Sequence, residues 1–232
     1  MKKEKNIFFV SGIDTGIGKT IATGLIARGL MESGKTVITQ KGVQTGCVGM
    51  SEDIVKHRQL MKMEMLPEDH EGLTCQYLFA TPCSPHLAAR IEKTKIDPDK
   101  ITKAAKKLAK RYDVVLLEGA GGLFVPLQEE YLMIDYLAEV KWPVLLVTSS
   151  RLGSINHTLA SFEALRSREI SLSGVLYNRH DETDPLIAKD SLVIITAYLR
   201  KYGFACPVVE ILHEELYVEG GKCADFSQMC TR

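Results

Sequence analysis

The chain predicts a doubly wound α/β fold built on a mostly parallel sheet. Three observations carry this. Short apolar runs alternate with stretches of helical period along the 232 residues. Two of those runs, Val114–Leu117 and Val144–Val147, are apolar throughout, as strands covered on both faces by helices are. The first run, Ile7–Val10, leads through Gly12-Ile13-Asp14-Thr15-Gly16-Ile17-Gly18-Lys19-Thr20 into an apolar-periodic helix.

That order of strand, glycine loop and helix is what a phosphate-binding loop requires, so the fold is read as phosphate-loop NTPase-like. Glycines let backbone N–H groups turn toward a polyphosphate, and the helix start adds partial positive charge. Lys19 can then reach the terminal phosphates, and the Thr20 hydroxyl can ligate Mg²⁺. The alternative is a strand-to-helix turn with no ligand. The usual spacing would place the first glycine at Ile13; it stands one residue earlier, at Gly12, so the loop carries an extra residue.

The elements follow in order. Ile21, Leu25, Ile26 and Leu30 recur at helical spacing, and Gly34 is a suitable stop. Val37–Lys41 reads as a strand whose end delivers Lys41 and the small-residue loop Gly42-Val43-Gln44-Thr45-Gly46, on the side where parallel sheets hold ligands. Residues 51 to 65 read as helix with Ser51 as N-cap, 66 to 86 as irregular, and Ser84-Pro85-His86 as the opening of a short helix through Arg90. Pro98 opens a basic amphipathic helix whose lysines form a solvated face. After Val114–Leu117 comes Glu118-Gly119-Ala120-Gly121-Gly122, and after Val144–Val147 a helix to about Arg168. Leu172–Tyr177, a helix from Pro185 to Tyr202 and a strand from Pro207 to Leu212 complete the alternation. The tail from Gly220 onward is expected to be loosely ordered.

No composition shift, repeat or linker divides the chain, so one domain over 1–232 is expected. Twenty-nine basic and 29 acidic residues balance, without runs of one sign, so no electrostatic ground exists for a nucleic-acid or anionic-membrane partner. The apolar stretch ending at Val10 is too short for a signal core or a membrane span, and a cytoplasmic protein is expected. Six scattered cysteines lack any Cys-x-x-Cys, which favours reduced, buried thiols over a zinc site or a disulfide framework.

Among the strand ends, Glu118 sits where phosphate-loop enzymes place an acidic metal residue, although a surface acid would occupy the same position. Asp53 is either a second metal carboxylate or an ordinary partner of a helix start. Lys41 is either a surface charge or, aimed across the same sheet edge as Lys19, a group that neutralises a transferring phosphoryl. His86 and His157 read as packing or capping residues, and Trp142 as core.

The runs just quoted resemble those of the dethiobiotin synthetases from the loop to about residue 212. Gly12–Thr20 matches the family's Gly-Thr-Asp-Thr-x-x-Gly-Lys-Thr, extra residue included. Lys41–Gly46 resembles its Lys-Pro-Val-x-[Ser/Thr]-Gly, Ser84-Pro85-His86 its Ser-Pro-His, and Glu118–Gly122 its Glu-Gly-Ala-Gly-Gly. Leu152-Gly153-Ser154-Ile155-Asn156-His157 is similar to its Leu-Gly-x-Ile-Asn-His. Gly16, Gly42 and Arg179 depart from residues common in the family.

The resemblance implies an ATP- and Mg²⁺-dependent homodimeric ligase that joins CO₂ to 7,8-diaminononanoate, giving dethiobiotin, ADP and phosphate. Under it Lys19 and Lys41 are catalytic, Thr20, Asp53 and Glu118 hold Mg²⁺, and Thr45, Lys41 and Asn156 meet the diamine. Gly16, Ile17, Gly18, Lys19, Thr20 and Ile21, with Asp53, Glu118, Gly119, Ala120 and Gly121, form the nucleotide site, and Asn178 meets the base. It places the Gly153–Asn156 helix start in the neighbouring subunit's site. Two other classes compete: a regulatory switch ATPase of the cell-division and partition type, and an amidating synthetase of cobalamin type. The first tends to carry a second lysine early in the loop, where this chain has Ile13 and Asp14. The second needs a glutaminase domain for which there is no length.

Overall fold

The structure, a computed structural model, describes residues 6–180, 182, 184–218 and 223–230. In chain order the elements are β1 (Ile7–Gly12), α1 (Lys19–Glu32), β2 (Val37–Lys41), β3 (Gln44–Thr45), α2 (Glu52–Leu60), α3 (Pro67–His70), β4 (Leu78–Phe79), α4 (Pro85–Ile91), α5 (Pro98–Leu108) and β5 (Val114–Gly122). They continue with β6 (Pro126–Gln128), β7 (Tyr131–Leu132), α6 (Met133–Val140), β8 (Val144–Ser149), α7 (Ser154–Ser167), β9 (Leu172–Asn178), α8 (Pro185–Lys201), β10 (Val208–Ile211) and α9 (Glu215–Val218).

Six strands form the central sheet in the order β10-β9-β8-β1-β5-β2, and every neighbouring pair is parallel. The fold is therefore the doubly wound α/β architecture that the alternation predicts. From β1 the chain moves outward past β5 to β2, then returns and builds β8, β9 and β10 on the other side. The reversal of direction falls beside β1, so the glycine loop after β1 opens at the topological switch point, where such sheets bind ligands. All six residues of β1 and all six of β8 are buried, which is why these runs carry no polar alternation.

Strand β5 runs further than its apolar stretch suggests, continuing through Glu118–Gly122 beside β1. Glycine permits this: a Cβ on Gly119 would stand 2.7 Å from the Phe9 ring, and one on Gly122 3.2 Å from the Gly12 carbonyl. Residues 66–86 are not irregular throughout, because they contain α3 and also β4, which pairs in parallel with β3. Helix α2 keeps the Ser51 cap, whose Oγ accepts from the Ile54 N–H at 3.3 Å, but stops at Leu60, and Lys62 follows in the left-handed region.

Helix α6 and the β6–β7 hairpin have no counterpart among the predicted elements. Met133, Ile134, Tyr136 and Leu137 of α6 are all buried, at the i, i+1, i+3, i+4 spacing of one helical face, so the periodic signal was present in the sequence, but over only eight residues. Trp142 is core as expected, 6.1 Å edge-to-face from Tyr136.

The tail is the main correction to the expected fold. Residues 219–222 and 231–232 lie outside the described residues, but Cys223–Cys230 docks and ends in a 3₁₀ turn, Ser227–Cys230. Phe226 seats on α1, where a Cβ on Gly29 would come within 2.8 Å of its ring. Met229 seats on β9, at the same distance from a Cβ on Gly174. Two glycine notches on separate elements receive two side chains of a short segment without periodicity, a match that no local pattern announces.

Candidate active site

The phosphate loop turns through left-handed glycines, Gly16 at φ 68° and Gly18 at φ 87°, and Gly18 caps α1. Lys19 folds back over the loop, its Nζ donating to the Asp14 carbonyl at 2.9 Å. Burial, followed by the charge of Lys41, lowers its pKa to about 8. Asp14 is tied in turn to the Arg151 guanidinium at the approach to α7.

Lys41 is the centre of the cluster. The register of β2 against β5 sets its Cα beside that of Glu118. Its Nζ lies 2.7 Å from Glu118 Oε1 and 2.5 Å from Asp53 Oδ2, and donates to the Gly119 carbonyl at 3.1 Å. Thr20 closes the group, its Oγ1 standing 3.0 Å from Asp53 Oδ1 and 3.3 Å from Glu118 Oε1. Burial works against charge on both members of the central pair, and the pairing outweighs it. The Glu118 and Asp53 carboxylates hold Lys41 above the ordinary lysine range. Lys41 and the His57 hydrogen bond hold Glu118 well below the ordinary carboxylate range.

This arrangement fits Mg²⁺. The donors are all oxygen, two carboxylates and a hydroxyl, and they already converge beside a cation, the Lys41 ammonium. Among the described residues no group of three or more His, Cys, Asp or Glu is arranged to hold a metal.

The remaining expected residues fall around this centre. Ile17 is buried, and its carbonyl accepts from Asn178 Nδ2 at 3.1 Å, while Asn178 Oδ1 accepts from the His180 N–H at 3.0 Å. Asn178 thus braces the loop from β9, packed so tightly that a Cβ on Gly18 would meet its Nδ2 at 2.3 Å. Ile21 is partly buried in the first turns of α1, and Ala120 and Gly121 line the end of β5. Thr45 lies on β3, partly buried, four residues beyond Lys41. Asn156 is exposed in the first turn of α7 and joins none of these contacts.

The sequence reading did not single out His57. It is fully buried, and its Nε2 lies 2.9 Å from Glu118 Oε2. The available signal was its place one helical turn after Asp53, on the same face of α2. Arg179, which departs from the family pattern, is engaged by Glu182 and Glu210.

Among solved structures, the MinC:MinD cell division protein complex of Aquifex aeolicus matches at TM-score 0.57 and 16% identity, over 97% of this chain and 93% of that chain. A ParA family ATPase from Chlorobium tepidum matches at TM-score 0.53 and 15% identity, over 97% and 94%. At such identities the likeness is one of fold. A family described as AAA domain matches residues 6–214. Fold and loop together define a protein of the phosphate-loop NTPase fold.

The relatives narrow this class. The ATP-dependent dethiobiotin synthetase BioD 2 of Pasteurella multocida is 51% identical over 197 residues, covering 85% of this chain and 92% of the relative. The ATP-dependent dethiobiotin synthetase BioD of Chlorobaculum tepidum is 48% identical over 225 residues, covering 95% and 94%. The chain belongs to the dethiobiotin synthetase family and is an ATP-dependent ligase of biotin synthesis.

Proposed function

We propose that this enzyme closes the ureido ring of dethiobiotin from 7,8-diaminononanoate and CO₂, using ATP with Mg²⁺. The carrying observation is the buried Lys41 ammonium bound to Glu118 and Asp53 beside Lys19 and Thr20, since acid activation by phosphoryl transfer needs fixed positive charge at that point. One amine of the substrate adds to CO₂ and loses a proton, giving a carbamate. The carbamate oxygen attacks the γ-phosphorus of ATP, and ADP leaves. The second amine then attacks the carbonyl carbon of the resulting carbamic–phosphoric anhydride, expels phosphate and closes the ring. Lys41 and Lys19 neutralise charge on the carbamate and transferring phosphoryl oxygens. Thr20, Asp53 and Glu118 would hold Mg²⁺, which when bound neutralises the β- and γ-phosphate oxygens.

A cleft of about 320 Å³ beside the loop is walled by Ile13, Leu123 and Val125, with Thr15 and His157 at its rim, and suits the aliphatic chain of the diamine. The Thr45 hydroxyl binds the diamine or carbamate. Asn178 both braces the loop and turns its remaining N–H to the base. The test is a coupled assay with diamine, bicarbonate, Mg²⁺ and ATP, in which ADP release should require the diamine. Equal ADP release without it would support the switch ATPase instead, a class whose fold likeness is no argument about reaction.

Thr45→Val should raise KM for the diamine more than it lowers kcat, because an interaction made in both ground and transition states is lost. Steady-state kinetics with each substrate varied decides this, and a loss of ATP binding at constant diamine KM would remove Thr45 from the substrate site.

We further place the enzyme in the cytoplasm, as a single-domain homodimer; no helix among the described residues is long and apolar enough to cross a membrane. Leu152 at the approach to α7 and Leu186 at the start of α8 are 90% and 76% exposed, apolar side chains that a second copy would cover. Asn156, exposed beside Leu152, would then serve the partner's site. Mixing inactive Lys41→Ala and Asn156→Asp proteins should restore activity in heterodimers. A fully active monomer in sedimentation at assay concentration would reject this assignment.

A further inference from the structure

One fully buried side chain at the reacting end of the sheet has no role in the chemistry above. His57 and Glu118 are both without solvent exposure, and they meet at 2.9 Å through Nε2 and Oε2. A carboxylate only accepts, so the proton of this bond belongs to Nε2. The other ring nitrogen, Nδ1, is buried and finds no hydrogen-bond partner among the described groups, so the imidazole directs its polar contact at Glu118 alone.

The two oxygens of Glu118 are thereby divided. Oε2 is committed to His57, and Oε1 faces Lys41 Nζ at 2.7 Å and Thr20 Oγ1 at 3.3 Å. Asp53, one turn earlier on the same face of α2, divides its oxygens similarly between Thr20 and Lys41. Helix α2 therefore supplies one group to the cation cluster and a second that orients the carboxylate opposite.

We propose that His57 is a positioning residue of this site: its N–H fixes the Glu118 carboxylate in the rotation that presents Oε1 to Lys41, Thr20 and Mg²⁺. A leucine would occupy comparable space but leave Oε2 buried and unpaired, which is costly. The carboxylate would relieve that by rotating Oε2 toward Lys41, drawing both oxygens away from the metal. Hydrogen bonds to metal-facing carboxylates tune affinity in this way. The inference rests on the reading of Glu118 as a metal-facing residue.

The test compares wild type with His57→Leu, His57→Gln, His57→Asn and Glu118→Gln. ADP binding is titrated calorimetrically with excess Mg²⁺ and again with EDTA, beside steady-state kinetics. His57→Leu should weaken the Mg²⁺-dependent part of ADP affinity by about 10- to 100-fold and lower kcat to a similar degree. Its ADP affinity in EDTA and its diamine KM should stay unchanged. His57→Gln, whose amide N–H can reach Oε2, should recover most of both losses. His57→Asn, whose nitrogen superposes on Nδ1 instead, should not. If Glu118→Gln leaves Mg²⁺-dependent affinity intact, the metal reading fails and this role fails with it. If Glu118→Gln abolishes that affinity while His57→Leu leaves it whole, the positioning role alone is overturned. Should His57→Leu not fold, equal behaviour of the Gln and Asn variants overturns it as well.

Discussion

Replacing Lys41 by glutamine is expected to lower kcat by about 10²-fold or more, the scale of loss when one transition-state donor is removed. The side chain keeps an N–H donor, one bond shorter in reach, but loses the charge. In the protein that charge lies within 2.7 Å of two carboxylates, in a pocket that leaves Lys41 only 5% exposed. Little water can take its place, so charge developing on the carbamate and phosphoryl oxygens would face Glu118 and Asp53 with Lys19 as the remaining side-chain cation beside the bound Mg²⁺. The measurement is kcat for dethiobiotin formation at saturating ATP and diamine, below the variant's melting temperature. Because the substitution also leaves two carboxylates facing one another, thermal unfolding should be followed in parallel. A near-normal kcat would show that Lys41 serves the fold and not the phosphoryl transfer.

Arg58→Met is expected to destabilise the protein by about 3 to 5 kcal/mol, the range found when one partner of a buried ion pair is removed. Arg58 is 1% exposed and grips Asp69 with two parallel bonds, Nε to Oδ2 at 2.9 Å and Nη2 to Oδ1 at 2.8 Å, while Nη1 donates to Thr39 at 2.8 Å. The Leu66 N–H and the Thr74 hydroxyl complete the shell of Asp69. The pair ties α2 to β2 and to the turn at α3, so it sets the platform from which Asp53 and His57 project.

Burial alone would raise the Asp69 pKa, but Arg58 and the Leu66 N–H overcome it and hold the carboxyl below its ordinary value. A lowered folded-state pKa means that this stabilisation is present above the unfolded value, about pH 4, and is lost as pH falls through the folded value. The variant should lack this part of the acid dependence. Urea unfolding at neutral and acidic pH measures both effects, and a neutral-pH loss below about 1 kcal/mol would contradict the assignment. Adding Asp69→Leu to Arg58→Met should recover part of the loss, since no buried charge then remains uncompensated.

Much of the site was legible as local pattern. A strand, a glycine loop and Lys19-Thr20 at a helix start are contiguous, and their hydrogen bonds and periodicities are short-range, so Gly12–Thr20 could be read without any knowledge of neighbours. Ser51 as a cap and Pro85 and Pro98 as helix starts are of the same kind. By itself the sequence also determined that the strands are buried on both faces, which is enough for a parallel sheet wrapped by helices.

Tertiary structure decided what lies beside what. Lys41 and Glu118 are 77 residues apart and become Cα neighbours only through the pairing of β2 with β5. That pairing, and the extension of β5 past Phe9, depends on long-range burial and on glycines whose missing side chains matter only once the facing strand is in place. His57 looked like any polar residue in a helix until α2, packed on α1 and β2, brought its ring to Glu118 of β5. Phe226 and Met229 gave no periodic signal, because a single side chain filling a glycine notch on another element has no repeat to detect. Local chemistry could name Glu118 as a candidate acid; only the packed sheet, by excluding water and bringing Lys41, Asp53, Thr20 and His57 to it, decided which charges it faces.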